Sequence, residues 1–129
     1  MISWFEKHNK ISWAITFFGG ASIFYISSLK FGGGTSFGIF SIIYHFSAFF
    51  LLSFFLLISS VRGKNNSLVF VIAIFLAVTY GILDELHQFF VPGRTSTLLD
   101  MGIDSLGVVL ASVIYFILIK YKNLQNTKL

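Results

Sequence analysis

Five acidic residues occur in the chain, and four of them, Asp84, Glu85, Asp100 and Asp104, fall in one stretch. That stretch also holds Tyr80, His87, Gln88 and Arg94, and a further histidine, His45, lies upstream. Carboxylates beside an imidazole are the equipment of general acid–base chemistry. The same groups bind divalent cations, and a guanidinium pairs bidentately with phosphate or carboxylate. On a helix, Asp84, His87 and Gln88 are related by i+3 and i+4 and share a face, with Tyr80 one turn earlier. Glu85 is expected about 100° away on that helix, toward a different neighbour. Asp100 and Asp104 share a second face, which Gly107 continues. Gly107 and Ala111 form a small-xxx-small pair that admits close approach of another helix.

The surrounding composition says what positions these groups. The 129 residues are 56% hydrophobic and 11% charged, with 17 phenylalanines, and the mean hydropathy is +0.85. A soluble domain of this length cannot bury that much apolar surface. An ordinary cytosolic globular protein, a disordered chain and a charged coiled coil are therefore excluded. The absence of cysteine excludes disulfides, a thiol nucleophile and Cys-type zinc sites. The net charge of +4 comes from residues between apolar runs, not from a basic patch interleaved with aromatics, so nucleic acid is not an expected partner. The partner expected is the lipid bilayer.

Four apolar segments, 11–29, 37–61, 68–91 and 100–119, each approach the ~20 residues of a membrane helix. Short polar or glycine-rich connections make neighbours antiparallel. The expectation is an all-α membrane protein: four transmembrane helices in an antiparallel bundle, one domain over residues 1–129. The first segment is too long for the usual signal-peptide core of ~7–15 residues and reads as a retained helix. Gly32-Gly33-Gly34 reads as a flexible loop, since no Gly-Lys-Ser/Thr follows it. Lys7, Lys10, Arg62, Lys64, Lys120, Lys122 and Lys128 fall on one side of this topology, and Lys30 and Arg94 on the other. The positive-inside rule then puts both termini in the cytoplasm and the Arg94 loop outside. Trp4, Trp13, Tyr115 and Tyr121 fit an inner interfacial belt, and the three tail lysines act as anchors. Asp84 falls ~10 Å and His45 ~12 Å below the outer end of their segments. With Asp104 four residues into the last segment, polar groups of three helices converge at one depth.

The run Asp84-Glu85-Leu86-His87-Gln88, followed by Pro92-Gly93-Arg94-Thr95, Asp100 and Asp104-Ser105-Leu106-Gly107, resembles the VanZ-like family of small bacterial membrane proteins. Tyr44-His45-Phe46-Ser47-Ala48-Phe49 is similar to that family's His-Phe-x-x-Phe/Tyr element. Asp104 departs from the pattern, where the family often has Asn. The resemblance implies a multi-pass protein of the bacterial cell membrane. It also implies a link to the cell envelope and to low-level resistance to teicoplanin, a glycopeptide that acts on the outer membrane face.

Two functional readings follow. In the first, the polar cluster binds or acts on a lipid-linked envelope molecule at the outer leaflet. Asp84 or Glu85 works with His87 as acid and base, and Arg94 clamps an anionic head group. Asp100 orients Arg94 or His87, or binds a divalent metal with His45. Gln88, Asp104, Tyr80 and His45 complete the substrate contacts. The metal signal is incomplete: Asp84-x-x-His87 is half of a bundle-type carboxylate site, and His-Glu-x-x-His is absent. No activated serine supports a covalent mechanism. In the second reading the cluster is structural, an ion-pair network of Asp84, Glu85 and Asp100 with Arg94 in a scaffold or small transport protein.

Overall fold

A computed structural model describes residues 2–30, 38–94 and 96–126. Thr95 and the Gly32–Gly34 run lie outside the described residues, as do Phe37 and Lys128. The described chain is helical: α1 (Ile2–Lys7), α2 (Asn9–Ser28), α3 (Ile39–Val61), α4 (Ser67–Phe89) and α5 (Leu98–Asn126). The last four are long and apolar enough to cross a membrane and correspond to the four expected segments. The last runs several residues past its expected end at residue 119, and α1 was not anticipated. It stops at His8, whose ring stacks on Trp4 at 4.4 Å.

Local signals account for the ends. The Asn66 side chain accepts from the Val69 N–H at 3.2 Å and caps α4. After Phe89, the Pro92-Gly93 pair cannot continue the helix, and Gly93 takes φ +85°. Thr97 caps α5, its hydroxyl accepting from the Asp100 N–H at 3.1 Å. Within the helices, the hydroxyls of Thr16, Ser22, Ser105 and Ser112 donate to the carbonyl four residues back. These groups are thereby satisfied without water.

Contact pairs give the packing directions. His45 meets Asp104, Gly107 meets Phe46 and Phe50, and Phe54 meets Tyr115. The numbers rise together, so α3 and α5 run parallel. Gly81 meets Phe49 and Asp104, while Phe70 meets Phe116, so α4 is antiparallel to both. α2 lies on α3 and α4, its Gly20 and Ser28 touching Tyr80 and His87. α3 is thus central, with its most extensive interface on α5. Phe46, Phe50 and Phe54 stack along α3 at spacings of 6.3 and 5.9 Å.

The α3–α5 approach is set by Gly107. A Cβ there would lie 2.6 Å from the carbonyl oxygen of Phe46 and 3.0 Å from the backbone nitrogen of Phe50. Both atoms are backbone and cannot swing aside, so the expected small-residue face is used, against α3. Gly81 does the same for α4 less tightly: its Cβ would sit 3.2 Å from a Phe49 ring carbon and 3.4 Å from Asp104 Cβ.

Gly107→Ala is expected to destabilise the protein by ~1–3 kcal/mol, the usual cost of forcing atoms into a packed interface. Gly102, in the same helix, has nothing within 4 Å of its would-be Cβ. Gly102→Ala should therefore be neutral or stabilising by up to ~1 kcal/mol through helix propensity. Denaturant unfolding of both variants in detergent micelles measures the contrast, and equal effects would remove Gly107 from its proposed role.

Candidate functional site

Three helices bring the polar groups together near one end of the bundle. His45 is six residues into α3 and Asp104 six residues into α5, while Glu85 is four residues before the end of α4. At 1.5 Å per residue all three lie ~6–9 Å from those ends. Phe49 and Val108, one turn further in, belong to an apolar core cluster with Ala77 and Ile23, which closes the site from below.

The cluster is dry. His45 is 4% exposed, Glu85 0% and Asp104 2%. His45 Nδ1 lies 3.0 Å from Asp104 Oδ1 and 3.7 Å from Glu85 Oε1. Glu85 Oε2 accepts from the backbone N–H of Thr97 at 3.2 Å, which ties the acid of α4 to the start of α5. Gln88 donates to Asp84 Oδ2 at 2.8 Å. Two carboxylate oxygens remain, Asp84 Oδ1 and Asp104 Oδ2, both buried and without a hydrogen-bond partner. A buried unsatisfied polar atom costs ~1–3 kcal/mol, and more when charged. Among the described residues, one ligand atom from each of His45, Glu85 and Asp104 falls within 4.8 Å of the others, a spacing that suits a metal ion.

Four of the expected site residues are used differently. His87 does not join Asp84. Its Nε2 lies 2.9 Å from Ser28 Oγ, and its ring lies 4.6 Å from Phe24. The Ser28 hydroxyl proton goes to the Phe24 carbonyl, so the imidazole N–H is the donor to Ser28. The physical reason is that α4 is flanked on both sides. Gly81, Asp84, Glu85 and Gln88 are buried, with Glu85 and Gly81 meeting α3 and α5. His87 falls on the arc facing α2. Glu85 is therefore in the cluster, not apart from it. Tyr80 also turns to α2, donating to the Gly20 carbonyl at 2.7 Å.

Arg94 reaches the end of α2. Its Nε donates to the Leu29 carbonyl at 3.2 Å, and a terminal nitrogen donates to the Ile26 carbonyl. Those carbonyls are the unsatisfied end of α2, where a cation is favoured by the helix dipole. Asp100 accepts from the Thr97 hydroxyl at 2.7 Å, completing a reciprocal cap on α5. It lies outside the group formed by His45, Glu85 and Asp104.

A second polar cluster closes the opposite end and was not expected. Glu6 of α1 is 5% exposed. Its Oε2 receives Lys122 Nζ at 2.6 Å, and its Oε1 receives the Tyr115 hydroxyl at 3.0 Å. That hydroxyl in turn accepts from the Gly63 N–H at 3.0 Å. Tyr115 is thus fully buried and does not belong to an interfacial belt, unlike Trp4, Trp13 and Tyr121, which are exposed. Lys122 is an ion-pair partner, whereas Lys120 lies over the Phe116 ring at 4.8 Å. The available signal was Glu6 itself, one acid among the basic residues of that flank.

The VanZ/LLP1 family model matches residues 3–119, and the chain belongs to that family. The match extends the resemblance of the His45 and Asp84–Gly107 motifs to the N-terminal helices, which carry no motif of their own. No curated protein and no solved structure matches the chain.

Arg94→Lys keeps the charge but cannot span two carbonyls with a planar fork. The variant should insert and fold, and lose about 1 kcal/mol of stability through the frayed end of α2. Thermal unfolding beside wild type measures this, and unchanged stability would detach Arg94 from the α2 cap.

Proposed function

We propose that this VanZ/LLP1-family membrane protein binds a lipid-linked cell-envelope molecule at the outer leaflet of a bacterial plasma membrane. Its site is the buried cluster of His45, Asp84, Glu85, Gln88 and Asp104. One observation carries the reading: two carboxylate oxygens of that cluster are buried at membrane depth without a partner. A network kept only for structure gains nothing from such atoms, and a half-satisfied network is worse than an apolar one. Ionisable groups inside a bilayer mark ligand or ion pathways by default.

Three further features support a lipid-linked ligand. The excess of Lys and Arg on the opposite flank favours an outward orientation of this end. The site lies about one to two turns below the helix ends, level with the upper acyl region. An apolar groove of about 500 Å³ between α2 and α4, lined by Phe17, Phe24, Leu76 and Tyr80, could take a hydrocarbon chain one turn from Asp84. On this reading glycopeptide susceptibility, including that to teicoplanin, changes because the protein engages an envelope intermediate. His87, Arg94 and Asp100 serve the scaffold, as their helix-end and α2 contacts favour.

The test is Glu85→Gln, which keeps shape and removes charge. The variant is expected to insert and fold as wild type does. Native mass spectrometry should find an envelope lipid bound to wild type and absent from the variant, and expression of wild type but not of the variant should shift teicoplanin susceptibility. Retention of both would sink the reading. Misfolding of Glu85→Gln and Asp104→Asn alike would return the cluster to a structural role.

A further inference from the structure

The donor set at the centre of the cluster has a definite chemistry. Three side chains from three different helices present one imidazole nitrogen and two carboxylate oxygens to a common point, within 4.8 Å of one another. Bonds of ~2.0–2.2 Å to one ion place its ligand atoms about 3–4.4 Å apart. The Nδ1–Oδ1 separation of 3.0 Å and the Nδ1–Oε1 separation of 3.7 Å already lie in that range. We propose that His45, Glu85 and Asp104 form a mononuclear site for a divalent first-row transition-metal ion of the zinc or manganese class. The proposal rests on the reading of this cluster as a ligand site.

Charge is the first argument. Asp84, Glu85 and Asp104 are 4%, 0% and 2% exposed, and the imidazole of His45 lies 3.0 Å from Asp104 and 3.7 Å from Glu85. Ionised carboxylates out of water are costly unless compensated, and a divalent ion compensates two at once.

The orphan oxygen is the second argument, independent of the first. Asp104 Oδ1 faces His45, yet Oδ2 of the same carboxylate is buried with no hydrogen-bond donor. Bidentate coordination engages both oxygens. Asp84 Oδ1, the other orphan, adds negative charge beside the ion.

Orientation is the third. Metal-binding carboxylates are commonly fixed by a further hydrogen bond through the oxygen turned away from the metal. Glu85 fits this pattern: Oε2 is held by the Thr97 N–H, while Oε1 faces His45 at 3.7 Å with only a long, 3.5 Å hydrogen bond from Gln88 Nε2.

An imidazole ligand in a small mixed N/O set favours zinc, manganese or iron(II) over magnesium and calcium, which prefer all-oxygen shells. Three protein ligands leave coordination positions for an exogenous oxygen, such as water or a phosphate of the lipid-linked ligand. Binding displaces any proton on His45 Nδ1 or on the carboxylates to solvent, so uptake of the ion releases protons.

The experiment uses tag-free protein in detergent micelles, stripped with a chelator and dialysed. Elemental analysis after re-addition should find one zinc or manganese per chain. Thermal unfolding of the stripped protein should shift upward with zinc or manganese and not with magnesium, because an ion that binds only the folded state stabilises it. Glu85→Gln and Asp104→Asn should weaken binding by at least the ~10–100-fold typical of losing an outer partner. His87→Gln, which alters a histidine outside the cluster, should bind as wild type. An unshifted stripped wild-type protein overturns the proposal even where the variants do not fold. So does an equal shift in wild type and Glu85→Gln, the result expected of an ion bound elsewhere on the protein. A stripped wild type that shows no shift but still retains lipid, with that lipid lost in Glu85→Gln, would refute the ion while leaving the lipid reading intact.

Discussion

The contact on which the rest depends is the backbone-to-backbone approach of α3 and α5 at Gly107. With 2.6 Å between a would-be Cβ and the Phe46 carbonyl, no side chain fits at position 107. In lipid there is little hydrophobic drive between helices, so close packing of small residues and polar contacts carry association. One residue before Phe46 is His45, and three before Gly107 is Asp104. The closest approach of the two helices therefore lies beside their polar contact. α4 then docks through Gly81 and delivers Glu85 one turn later. Packing and polar chemistry are two aspects of one interface.

α5 carries that interface from end to end. At one end Asp104 faces His45, and at the other Tyr115 and Lys122 engage Glu6. Between them Val108 and Ala111 are fully buried against apolar neighbours. The two polar clusters differ in a telling way. Both oxygens of Glu6 are matched, one to a cation and one to a hydroxyl, as expected of a structural latch joining α1 to the bundle. The His45 cluster leaves two oxygens, Asp84 Oδ1 and Asp104 Oδ2, without donors.

Much of this was legible in the sequence. Apolar runs of about twenty residues locate the four long helices, and the short connections predict which ends coincide. Topology alone therefore places His45 at the depth of Asp84 and Asp104. The small residues at 107 and 111 mark the close interface. What periodicity cannot supply is the arc of a helix that each neighbour covers. Asp84, His87 and Gln88 do adjoin on α4, yet α3 and α5 cover one side of that helix and α2 the other. The boundary between them passes between Gln88 and His87. Arg94 followed the same logic: its sequence neighbours are acids, but the unsatisfied carbonyls of α2, more than sixty residues earlier, are its partners. Glu6 was illegible for a related reason, since its hydroxyl donor stands 109 residues away.

The central claim is that His45 and Asp104 form one buried, coupled unit at the α3–α5 contact. A double-mutant cycle of His45→Ala and Asp104→Ala, read by reversible unfolding in micelles, tests it most directly. Residues in direct contact show interaction energies of about 0.5–3 kcal/mol, while independent sites add within ~0.5 kcal/mol. The account predicts a coupling above 1 kcal/mol for this pair and additivity for His45 with His87, which faces α2. Additivity of the His45 and Asp104 substitutions would contradict it.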